Sequence, residues 1–181
     1  MSKIQKSGNN EAYRRSAFWH GISSVGPRVI FNWSLYTSLL LSAGIWVLLD
    51  NNGGIVKLHK SMIDRSVDLF SCSIGAISMI LAAIAIAVVI YNKKDLHLIV
   101  TADEKTAEGF VFPYRYGATL WGVLGLVSFL SPFFPDTNNA VVFYATNLLW
   151  LFLTVYCVLF TLYLIGEVIQ HMLLSAMVEE K

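Results

Sequence analysis

Charge is scarce in this sequence: Asp, Glu, Lys and Arg make up 14% of 181 residues, against 56% apolar side chains. That balance leaves too little polar surface to solvate a soluble domain of this length. The net charge of +1 excludes a broadly basic surface built to neutralise nucleic-acid phosphates. Cysteine is nearly absent, and Cys72 and Cys157 both fall in apolar stretches, which predicts buried free thiols rather than a disulfide framework. The four histidines are scattered, with no H-x-x-x-H or C-x-x-C pattern, so no structural metal site is expected. Nucleophile elbows, zincin motifs, P-loops and dinucleotide fingerprints are missing too. No Asp, Glu, Lys, Arg or His sits at the centre of a long apolar stretch, where catalysis inside a membrane would ordinarily need one. The sequence predicts neither an enzyme nor a cofactor-binding protein. Ion-coupled transport is disfavoured as well, because it ordinarily uses a mid-membrane carboxylate and internally repeated halves.

What the chain has instead is length of apolar sequence. Residues 69–91 carry no ionisable group except a thiol and a terminal phenol. At 1.5 Å per helical residue they cover the roughly 30 Å of a bilayer's hydrocarbon core. Three more such stretches predict an all-α membrane protein with four transmembrane helices, preceded by an N-terminal amphipathic helix. The expected divisions are an N-terminal segment 1–27, spans one and two within 28–91 with an outer loop 50–68, a connector 92–115, spans three and four within 116–166, and a tail 167–181. The first apolar run, residues 29–49, is long enough to span and lacks an A-x-A exit, so it reads as a retained helix rather than a signal peptide.

Residues 12–25 place Tyr13, Ala17, Phe18, Ile22 and Val25 near one helical face and Arg14 and Arg15 elsewhere. This is the pattern of a helix lying on a membrane surface, with Trp19 suited to the headgroup zone. It serves either as an anchor or as a gate, and Arg14, Arg15, Phe18 and Trp19 are the gate candidates. Gly26-Pro27 breaks it from span one. In that span Ser34, Ser38 and Ser42 recur every four residues. The stripe is either a close helix contact or a water-facing wall, and these serines are the pore-lining candidates.

Asp50 to Gly54 predicts a turn, followed by a short helix over the membrane. Asp64 and Asp68 precede span two, either as acids at a helix's positive end or as an acidic ring at a pore mouth. In span two, Ser71, Gly75, Met79, Ala83 and Ala87 share a face, the strongest small-residue packing signal in the chain, so this helix is expected at the centre of the bundle. The connector carries Lys93, Lys94, Asp103, Glu104, Lys105 and Glu108, a surface for a soluble partner or ligand or simply a solvated link. A capping box at Thr101 and Glu104 opens a short helix there, which Gly109 is expected to close. In span three, Ala118, Gly122 and Gly125 offer close packing, and Pro132 bends the last turn. Span four holds Asn147, Thr154 and Thr161 at seven-residue spacing, a thin polar seam, and is expected to run on past Glu167 to Val178.

Ten of the thirteen basic residues fall before span one, between spans two and three, or at the C-terminus; Lys57, Lys60 and Arg65 fall on the other side. The positive-inside bias then places both termini in the cytoplasm.

The order of parts resembles small four-span bacterial membrane effectors of anti-phage defence systems, the Hailong-type effector first and the Kiwa membrane component second. The basic lead at 13–25, the Gly/Ala-rich helix at 75–87, the connector at 93–115 and the short outer turns carry the resemblance, which is one of plan. The resemblance implies a homo-oligomeric channel of the bacterial inner membrane, a tetramer by preference, that opens on infection. The Hailong case further implies a cytoplasmic nucleotidyltransferase partner whose oligodeoxyadenylate product holds the channel closed. Competing readings are a non-conducting membrane scaffold or sensor that docks a cytoplasmic partner, and a small-solute transporter.

Overall fold

The computed structural model describes residues 21–23, 25–51, 53–90, 104–133 and 139–179. Among them every regular element is helical: α1 Gly26–Ile30, α2 Trp33–Asp50, α3 Gly54–Asp64, α4 Ser66–Ile90, α5 Glu104–Leu130 and α6 Ala140–Glu179, with a 3-10 turn Ser131–Phe133 after α5. Four of these, α2, α4, α5 and α6, are long and apolar enough to cross a membrane. Large apolar side chains such as Leu40, Leu48, Val89 and Val141 stand outward on them. Apolar surface of that extent is stable only against lipid or another apolar partner. The chain is a multi-pass, all-α membrane protein.

Local chemistry sets where the helices begin. The extended backbone of Asn32 turns its side chain back to accept from Ser34 N at 3.0 Å and Leu35 N at 3.3 Å, so α2 starts at Trp33, later than the residue 29 expected from hydropathy. Gly53, at φ 60°, makes the turn between α2 and α3. α3 is the predicted short helix, with Ile55 and Met62 buried and Lys57 and Lys60 exposed. Helix α4 begins at Ser66, inside what was expected as the outer loop.

The connector differs from expectation. Gly109 does not close a short helix; α5 runs without interruption from Glu104 through Gly109 and Pro113 to Leu130. A proline ring crowds the carbonyl four residues earlier, which here belongs to Gly109, the residue with the most freedom to adjust its backbone. Pro132 does end the α-helical part, in the 3-10 turn.

Across the bundle the order is α2, α6, α5, α4, with neighbours antiparallel. Trp46 of α2 meets Tyr144 of α6 edge-on at 6.0 Å, and further along Tyr156 of α6 reaches Ile30. Phe70 of α4 lies 5.2 Å from Phe129 of α5. Span two is therefore at the edge, not the centre: 11% of its apolar window is buried, against 33% for span four. The reason is area. The centre goes to the helix with large side chains, Trp150, Tyr156, Phe160 and Leu164 of α6, whereas Gly and Ala bury little.

At 40 residues α6 is about 60 Å long, roughly twice the hydrocarbon thickness, and continues unbroken beyond its apolar window Ala140–Gln170. That agrees with the expected extension of span four.

Candidate functional site: the open face of the second span

The serine stripe of α2 lies inside the protein. Ser34, Ser38 and Ser42 are all essentially inaccessible, on the side of α2 that packs on α6. Ser34 Oγ bonds the Asn32 side chain, and Ser38 Oγ bonds the Ser34 carbonyl. Ser42 Oγ is buried with no hydrogen-bond partner among the described residues. Side chains this short let two backbones approach. The pore-lining assignment of these three serines thus gives way to the close-contact alternative in this protomer.

The small-residue face of α4 is divided. Ala87 is buried and Ala83 half-buried, whereas Ser71, Gly75 and Met79 are exposed, and a Cβ on Gly75 would meet nothing within 4 Å. The face that packs on α5 is a different one, through Ser73, Ala76 and Ile80. Around Gly75, Cys72 and Ser78 are open too, and the Ser78 hydroxyl turns to the Ile74 carbonyl at 3.0 Å. Cys72, expected to be buried, is exposed; Cys157 is buried as expected, and both are free thiols. The result is a band of Ser71, Cys72, Gly75, Ser78 and Ala82 that the protomer leaves uncovered.

Close approach within the protomer occurs at other glycines. A Cβ on Gly117 would lie 2.7 Å from Leu164 Cδ1 and 3.2 Å from Phe160 Cε1 of α6, and 3.4 Å from Ile80 Cδ1 of α4. At Gly125 it would lie 3.0 Å from Ser73 Cβ. Gly122, expected as a packing residue, has nothing within 4 Å of such a Cβ. Gly117 is the packing glycine that periodicity missed, because nothing in its spacing distinguishes it from Gly122.

The polar seam of α6 is satisfied by neighbours. Asn147 donates to the Phe143 carbonyl at 2.8 Å and faces His59 Nδ1 at 3.0 Å; Thr161 bonds the Cys157 carbonyl at 2.9 Å and accepts from Trp121 Nε1 at 2.8 Å. These are helix contacts, as the spacing suggested. His59 was not singled out by sequence, since a lone histidine in an amphipathic helix carries no signal of its partner.

Asp64, at the end of α3, and Asp68, in the first turn of α4, are both exposed at the end of the bundle that holds α3. Arg14, Arg15, Phe18 and Trp19 lie outside the described residues, as do Lys93, Lys94 and Asp103. Glu104, Lys105 and Glu108 open α5, and their side chains lie outside what is described. No group of three or more His, Cys, Asp or Glu placed to hold a metal occurs among the described residues.

These features define a class, the four-span α-helical membrane protein. No protein family, curated protein or solved structure matches the chain.

Proposed function

We propose that this chain is one subunit of a gated, channel-like homo-oligomer of the bacterial inner membrane, with both termini cytoplasmic, opened on infection as the effector of an anti-phage defence system. The carrying observation is the uncovered band Ser71, Cys72, Gly75 and Ser78 on the least buried of the four spans. The spaces between spans inside a protomer are filled by Phe112, Trp121, Leu124, Tyr156 and Phe160. A water path is therefore better sought between subunits, beside helices whose small hydroxyl-bearing side chains allow close association without closing the gap. A tetramer suits the resemblance of plan, and Asp64 and Asp68 then repeat around one mouth. Nothing in this reading needs a cofactor, and a nucleotidyltransferase partner or its oligodeoxyadenylate product enters only through that resemblance.

Cys72 tests it directly. Mild oxidation of the protein in membranes should give a disulfide-linked dimer that Cys72→Ser abolishes, and purified protein in liposomes should leak dye faster once residues 1–25 are removed. Monomers under every oxidant and a tight membrane under every condition would reject it. The overlength α6 favours a second reading, a non-conducting scaffold that holds a helical post out of the membrane for a soluble partner. Cross-linking without leakage selects that one.

A further inference from the structure

α1, just ahead of span one, is fastened to the bundle, and its fastening is separable from the span itself. α1 ends at Ile30 with Phe31 N bonded to the Pro27 carbonyl at 3.0 Å, and α2 begins anew at Trp33 under its own Asn32 cap. Each helix is thus complete without the other, and Phe31 and Asn32 between them are the only backbone that links the two. On the bundle side, Val29 is buried, Ile22 and Val25 pack against the same core, and Gly26 is closed over. The Ile30 carbonyl, left outside any helical ladder by the break, accepts from Tyr156 Oη of α6 at 3.4 Å, and Tyr156 Oη lies 3.3 Å from Tyr116 Oη of α5. At the joint itself Asn32 Nδ2 is buried with no hydrogen-bond partner. A buried donor without an acceptor is a local cost carried at the joint between the two helices.

We propose that Phe31–Asn32 is a hinge and that Tyr156, backed by Tyr116, is the latch that holds α1 against spans three and four. Release leaves the Asn32 cap and α2 intact while it uncovers Val29 and frees Tyr156. What release does to conductance rests on the channel reading; the latch does not.

The test uses full-length protein carrying Val29→Cys and Cys72→Ser, with buried Cys157 retained, and follows labelling by a maleimide in detergent and in liposomes. Docked Val29→Cys should label slowly. Tyr156→Phe, which deletes one hydroxyl, should raise the rate about fivefold, the range set by one net hydrogen bond. Thr161→Val, which removes a different hydroxyl from the same α5–α6 contact, should leave the rate within about twofold. Should Tyr156→Phe lose its folded elution profile, Asn32→Leu decides: joining α1 and α2 into one helix should lift Ile30 off Tyr156 and speed labelling likewise. Equal labelling in parent and variants, or an equal rise with Thr161→Val, overturns the latch. Dye efflux from the same liposomes separates the two proposals. Faster labelling with tight liposomes keeps the latch and overturns its role as a channel gate, whereas efflux without faster labelling overturns the latch.

Discussion

Gly75 and Gly117 look alike in the sequence and are opposite in the structure. Gly117 sits where α4, α5 and α6 meet, so a larger side chain must push Leu164 and Phe160 aside; Gly75 faces open space. Gly117→Leu should therefore cost the protomer about 1–3 kcal/mol, the usual penalty of overpacking. Gly75→Leu should not lower protomer stability, since nothing obstructs the new side chain and glycine is the weaker helix former, and should alter the assembly. Thermal unfolding followed by tryptophan fluorescence, together with mass in detergent, distinguishes them; equal midpoints for both variants would contradict this packing. His59 offers a second case. The Asn147 amide group is oriented by the Phe143 carbonyl, so its oxygen faces the histidine and Nδ1 must carry the proton. His59→Ala leaves that buried oxygen without a donor, and the expected loss is about 1–3 kcal/mol. His59→Gln should recover part of it, and no difference between Ala and Gln would mean that the hydrogen bond carries little.

At the scale of elements, the four spans, α3, and the turn at Asp50 to Gly54 were legible because hydropathy, helical periodicity and turn chemistry are local. The start of α2 was misplaced because a single Asn32 side chain, not hydropathy, sets it. Gly109 misled for a related reason: a glycine can end a helix, but here it lies within one, four residues before Pro113. The serine stripe was seen correctly as a stripe, yet its two readings differ only in what lies opposite, which periodicity does not encode. α6 lies opposite. Ser38→Leu should force α2 away from α6 while the α4–α5 pair, held at Gly125 and Phe70, persists. A bifunctional cross-linker bridging Trp46→Cys and Tyr144→Cys should capture the parent pair and fail in that variant; efficient capture in both would mean the seam tolerates the extra volume.

At the scale of the whole molecule, periodicity points to span two as the centre, because small residues mark intimate helix contact without saying with which partner. Ala83 and Ala87 do face the chain's own core, but Ser71, Gly75 and Met79 are left open, and the side chains that fill the middle belong to span four. Four crossings would put both ends of the chain on one side of the membrane, so reporter fusions at residues 1 and 181 should agree with each other, and opposite readings would contradict four spans. The order of the spans across the bundle also bears on how the protein is made. Span one is synthesised first, yet the helix it rests on is synthesised last, so its serines spend the interval beside lipid tails or the insertion machinery. Hydroxyls that close on their own backbone, as Ser38 does, suit a helix that must wait for its partner to emerge from the ribosome.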